Sequence, residues 1–135
     1  MRNEGDASMV IEVAAAIIDN EDGRILIARK REGTSHAGLW EFPGGKLEPD
    51  EAPEETLKRE LMEEMQIAIE PYAYFGTTDH MQGSRMIRLI AWRATFIEGS
   101  WVLTDHDEVR WVKPQELRHY AFAPADAAFV KQLSV

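Results

Sequence analysis

Between Glu48 and Glu64 the chain carries eight acids, Glu48, Asp50, Glu51, Glu54, Glu55, Glu60, Glu63 and Glu64, against two bases, Lys58 and Arg59. Helical spacing places Glu60, Glu63 and Glu64 within about 100° of one helix circumference. They flank an apolar stripe of Leu57, Leu61 and Met65, the kind of face a helix buries. Like charges at these spacings destabilise a helix by about 0.2–0.5 kcal/mol per pair. A divalent cation reverses the sign of that interaction. Oxygen ligands on a rigid face suit Mg²⁺, with Mn²⁺ as a substitute. The competing reading is a solvated acidic surface, the ordinary fate of a charge run. The turn before the helix bears on the choice. Gly44-Gly45 permits close backbone approach or positive φ, and Glu51 lies between that turn and the carboxylates.

The elements that must position these groups can be read in outline. Val10–Asp19 (VIEVAAAIID) reads as a buried strand, Asn20–Gly23 as a turn, and Arg24–Arg31 as the second strand of a hairpin. A loop at Glu32–Gly38 leads into the turn-rich LWEFPGGKLEPDEAP. Pro53 to about Met65 is the strongest helix: Pro53 suits the first turn, and Glu54 and Glu55 complement the N-terminal dipole. Ala68–Phe75 and Met86–Glu98 read as strands with Gly76–Ser84 irregular between them. Trp101–Leu103 and Val109–Val112 are short strand candidates, Pro114–His119 one or two helical turns, and Pro124–Ser134 a final helix. The class is α+β, with a mixed sheet, a central carboxylate-bearing helix and a C-terminal helix.

Composition narrows the chemistry. The 135 residues suit a polar N-terminal tail, 1–9, and a single domain, 10–135. With no cysteine, thiolate nucleophiles, disulfides and thiolate metal sites are excluded. No apolar run approaches the ~20 residues of a membrane span, and MRNEGDASM lacks a signal-peptide core. No membrane partner and a cytoplasmic location are therefore expected. The 24 acids against 15 bases, net −9, oppose general nucleic-acid binding. Such a chain can take a polyanion only through local bases or a bridging cation.

The spacing then points to a family. Five residues separate Gly45 from Glu51 and seven more precede Arg59-Glu60-Leu61, followed by Met62, Glu63-Glu64, Met65, Gln66 and Ile67. This pattern resembles the Nudix box, with Gln66 where the family usually has Gly. LWEFPGGK, DHDEVRWV and FAPAD resemble the MutT-like branch, which includes oxidised-nucleotide and CTP pyrophosphohydrolases; the resemblance spans about Val10 to Leu133. It implies a Nudix-like α/β/α sandwich that converts a nucleoside triphosphate to the monophosphate and pyrophosphate. It also implies a divalent metal on Glu60, Glu63, Glu64 and the Gly45 carbonyl. Glu51 and Arg59 would be a bracing ion pair. The general base would be a box glutamate or a later carboxylate, and Asp105 stands where relatives often carry Glu. Asp126 would hydrogen-bond the nucleobase, with helix capping as its structural alternative, and Phe122 would wall the same pocket. A homodimer is a common family assembly. A triphosphorylated RNA 5′ end is the alternative substrate, and a non-catalytic nucleotide-binding module the alternative class.

Other residues carry two readings each. Arg29, Lys30 and Arg31 either neutralise phosphates or end a strand in solvent, and strand alternation lets only some point inward. Trp40 and Phe42 flank Glu41, and either stacks on a base or fills the core. His80 and Arg85 lie in the irregular stretch, where they could meet phosphate or ribose. His106 and His119 are expected at the surface.

Overall fold

The computed structural model describes residues 10–135; the expected tail, 1–9, lies outside them. In chain order the elements are β1 (Val10–Asp19), β2 (Ile25–Lys30), β3 (Trp40–Glu41), β4 (Gly44–Lys46), α1 (Pro53–Met65), β5 (Ile67–Gln82), β6 (Arg85–Gly99), β7 (His106–Val112) and α2 (Ala127–Leu133), with 3₁₀ turns at Pro114–His119 and Pro124–Asp126.

β1 organises the sheet because its Ala14–Ile18 run is buried on both faces. It pairs in parallel with β6, from Val10↔Met86 to Asp19↔Thr95, and antiparallel with β4, from Val13↔Lys46 to Ala15↔Gly44. The order is β3-β2-β1-β6-β5, with β4 also on β1 and β7 also on β2. Every other pairing is antiparallel, so the sheet is mixed as expected. On one face Ala14, Ala16, Ile18, Leu26 and Ala28 meet Leu57, Leu61 and Met65 of α1. On the other Ala15, Ile17, Ile25 and Ile27 meet Leu117 and Phe129. Helices on both faces make the α/β/α sandwich.

Several local expectations change. Gly76–Ser84 is not irregular: β5 runs to Gln82, paired from Gly76↔Ala91 to Gln82↔Arg85, and the hairpin turns at Gly83 with φ 65°. Its polar residues hid the strand because both faces there meet solvent. Trp101–Leu103 is not a strand. The amides of Ser100, Val102 and Thr104 donate to the carbonyls of Gln66, Met65 and Glu64, so this segment caps the end of α1. The C-terminal helix is shorter than Pro124–Ser134, since its first three residues form a 3₁₀ turn. Neither Gly44 nor Gly45 has positive φ; close approach is their reason. Gln66 closes α1 in the left-handed region, φ 55° and ψ 45°, the conformation that Gly adopts without strain. His106 is fully buried rather than at the surface. Among the described residues no helix is long and apolar enough to cross a membrane.

Candidate active site

α1 begins at Pro53, where Glu55 accepts the Ala52 amide at 2.8 Å and so satisfies an otherwise free donor. Its buried stripe turns Arg59, Glu60 and Glu64 toward the Gly44-Gly45 turn. Gly44 lies so close to β1 that a Cβ there would run into the Ala14 carbonyl. A Cβ on Gly45 would stand 2.6 Å from both carboxylate oxygens of Glu60. The glycine pair therefore makes room for β1 on one side and for a box carboxylate on the other.

Arg59 is the cation that ties this corner together. Its Nε and Nη2 donate to Glu51 at 2.8 and 2.9 Å, a two-point grip. Nη1 donates to Glu60 at 3.0 Å and Glu63 at 3.2 Å, and Nη2 reaches the Lys46 carbonyl at 3.3 Å. Glu51 also accepts from the Glu48 amide and the Thr56 hydroxyl. These bonds, Arg59's first, hold the Glu51 carboxyl down at about 2. The same contacts raise the Arg59 guanidinium above its ordinary value. The expected pair of Glu51 and Arg59 is present, and it ties the connector to the helix.

Glu64 faces the opposite situation. Burial, a hydrogen bond with Glu60, and the charges of Glu60, Asp105 and Glu41 push its carboxyl up to about 9. Without a cation Glu64 favours its protonated form. Glu63 differs: it is 59% exposed and sits at the rim. Asp105 is exposed, on the loop whose amides cap α1, and its carbonyl accepts the Arg31 amide at 3.1 Å.

The glycine turn, Glu64 and Glu41 open into a cavity of about 320 Å³. Asp126, only 4% exposed, lines the same cavity. Burial first, then the charge of Glu41, raises its carboxyl well above the usual range; the Phe42 amide, 3.4 Å from Oδ1, offsets little of this. Asp126 lies in the 3₁₀ turn and makes no side-chain cap on α2, so the capping alternative does not describe it. Lys30 and Lys46 supply the cationic lining, His36 lies among them, and Gln82 comes from the β5–β6 hairpin.

The candidate residues divide. Glu64, Gly45, Lys30, Phe42 and Asp126 line the cavity. Phe42 is 3% exposed and Trp40 7%, so both also fill the core. Phe122 packs on Phe42 at 5.2 Å but borders a different depression, with Arg118 and Lys131. Arg29 turns away, bonded to Asp107 at 2.8 Å and stacked over Trp40. His80 and Arg85 do not line the cavity. Glu41, Lys46 and His36 were not singled out by sequence. Alternation in Trp40-Glu41-Phe42 offered a signal for Glu41, since an acid between two buried aromatics must face the other way.

Among the described residues no three Asp, Glu or His side chains converge to hold an ion alone. Mg²⁺ seldom needs three, because it keeps waters and uses one or two carboxylates plus substrate phosphates. Two half-buried carboxylates beside a glycine cradle fit that donor set.

Comparison with known proteins follows the same outline. A family model described as the NUDIX domain matches residues 9–133. The CTP pyrophosphohydrolase of Escherichia coli is 41% identical over 117 residues, 87% of this chain and 86% of that protein. An 8-oxo-dGTP diphosphatase of Haemophilus influenzae is 33% identical over 124 residues, 92% of this chain and 91% of that one. The solution structure of the E. coli ORF135 protein superposes with a TM-score of 0.81 at 39% identity, covering 93% of this chain and 89% of that one.

Proposed function

The chain belongs to the Nudix family of hydrolases, and from that premise we propose that it is a Mg²⁺-dependent pyrophosphohydrolase cleaving a nucleoside triphosphate to the monophosphate and pyrophosphate. The observation that carries this reading is the cavity's lining. It joins Gly45 and Glu64, the latter bonded to the Glu60 that stands against Gly45, with a buried, raised Asp126. A nucleotide requires both a metal-phosphate site and a contact for its base.

Glu60, Glu64 and the Gly45 carbonyl would hold Mg²⁺, with Glu63 joining from the rim. Bound there, Mg²⁺ would supply charge neutralisation for phosphate oxygens and a lowered pKa for an attacking water. Arg59 keeps Glu60 in position and, through Glu51, fixes the connector. Lys30 and Lys46 add positive charge toward the phosphates, and Arg29 contributes only indirectly from its ion pair. Asp105, whose charge reaches Glu64, is the general-base candidate. A protonated Asp126 both donates and accepts, the pattern of an amino-bearing base edge. Phe42 walls the base pocket with Phe122 behind it. The similarity to a CTP and an 8-oxo-dGTP enzyme supports pyrimidine or oxidised purine triphosphates as the substrates to try first.

The test is a panel of NTPs, dNTPs, 8-oxo-dGTP, 5-methyl-dCTP, ADP-ribose and triphosphorylated RNA with Mg²⁺ or Mn²⁺. Monophosphate plus pyrophosphate from one nucleotide supports the reading. Preference for the RNA moves the substrate to messenger ends, and no turnover on any compound leaves a binding module.

A further inference from the structure

The cavity reading leaves one buried group unexplained. His106 is fully enclosed. Its Nε2 lies 2.7 Å from Oε2 of Glu41, while its Nδ1 has no hydrogen-bond partner. Among the described residues it is the one buried side-chain polar atom left without a partner. With Nδ1 unpaired the ring suits the Nε2–H tautomer, because a second N–H would be buried with no acceptor. An apolar residue would fill this place without an orphaned nitrogen, so stability alone does not account for an imidazole here.

The way His106 reaches Glu41 is also specific. Ala28 pairs with Glu41 on one side of β2, and Lys30 pairs with His106 on the other. Paired residues share a face, and Ala28 and Lys30 are two apart, so all four project to the same side. Ala28, the partner of Glu41 on β2, adds only a methyl on that side. The register shifts between Arg29 and Lys30: Arg29 faces Glu108, but Lys30 faces His106. This bulge leaves Asp107 outside, bonded to Arg29, and turns His106 inward. The Arg31 guanidinium holds the same segment through the His106 carbonyl at 3.0 Å.

We infer that His106 is a positioning residue: across Ala28 it donates Nε2–H to Glu41 and fixes that carboxylate as an acceptor in the wall of the nucleotide cavity. This rests on the nucleotide reading of that cavity. Glu41 lines the cavity with Glu64 and Asp126, and its charge acts on both. Unheld, it would swing away from the two acids toward solvent. Held, it presents its lone pairs to a substrate N–H beside Asp126.

The experiment compares Glu41→Ala, His106→Leu, the double variant and His106→Gln with the wild type, using its preferred nucleotide and Mg²⁺. Glu41→Ala and His106→Leu each raise KM about tenfold with kcat little changed, and the double variant does no worse than either. His106→Gln, which keeps an N–H donor, recovers most of the loss. His106→Leu melts no lower than wild type because it removes the orphaned nitrogen. Losses that multiply in the double variant, or a folded His106→Leu with wild-type KM, overturn the inference. A readout independent of turnover is the ¹⁵N spectrum of the histidine rings. Glu41→Ala must shift the Nε2 resonance of His106, and an unchanged spectrum overturns the contact. If the wild type turns over no nucleotide, the functional reading has failed, and the ring spectrum still decides the pair.

Discussion

Replacing Gly45 by Ala separates the metal corner from the fold. The added Cβ would stand 2.6 Å from both Glu60 carboxylate oxygens, where ordinary contact begins at 3.4 Å. Glu60 must therefore retreat by about 1 Å, and Arg59 resists through its 3.0 Å bond. A misplacement of ~1 Å in a reacting constellation can cost about 10²-fold in rate. The obstructing atoms are the end of a flexible side chain, and Gly45 has no positive φ, so the backbone accepts alanine. Expected is a loss of kcat on the order of 10²-fold with a melting temperature close to wild type. Gly44→Ala is the contrasting control. Its Cβ meets the Ala14 backbone within the β1–β4 ladder, so it lowers stability instead. Steady-state kinetics and thermal melts on both variants check the pair. A Gly45→Ala enzyme with wild-type turnover would refute the placement of Glu60 at the metal.

Asp105→Asn cuts turnover well over tenfold if this carboxylate is the base, and wild-type turnover removes it from the mechanism. Gln66→Gly relieves a left-handed side chain at the end of α1 and stabilises by about 0.5–1 kcal/mol in denaturant titrations, after the larger unfolded-state entropy of Gly is counted; lower stability contradicts the strain. The pH profile of the metal-free protein follows from its raised carboxyls. Glu64 favours the folded state fully below its unfolded value, and that contribution fades as pH rises from about 4.5 toward 9; Asp126, also raised, acts in the same direction. Glu51 acts in the other direction, its contribution lost as pH falls from about 4.5 toward 2. Melting in EDTA should therefore peak near pH 5 and decline toward pH 9, with Mg²⁺ flattening the decline; a flat profile in EDTA contradicts the clustered carboxyls.

How much of this was legible depends on whether the signal was local. α1 announced itself, because the Leu57–Leu61–Met65 stripe and its flanking acids repeat with the helical period. β1 was equally plain, since a strand buried on both faces is a continuous apolar run. The β5–β6 extension was not, because Gly76–Gln82 draws its order from pairing with β6 across the hairpin rather than from an apolar pattern of its own. Trp101–Leu103 looked like a strand from its aromatic and apolar residues. Instead Trp101, at φ 57°, stacks on Phe96 while its neighbours' amides cap α1. His106 was misjudged because its inward turn depends on a bulge opposite Lys30, which nothing in DHDEVRWV marks. The box spacing made Glu51, Arg59, Glu60 and Glu64 visible as a group. The part of the cavity lining drawn from Glu41, Phe42 and the Pro124–Asp126 turn was visible only in part.

The most direct measurement is product analysis of CTP incubated with Mg²⁺ and either wild type or Glu64→Gln. Expected are CMP and pyrophosphate from the wild type, and a rate reduced by at least about 10²-fold in a Glu64→Gln protein that remains folded. Equal rates, or CDP and phosphate as products, would contradict a metal-assisted pyrophosphohydrolase built on this corner.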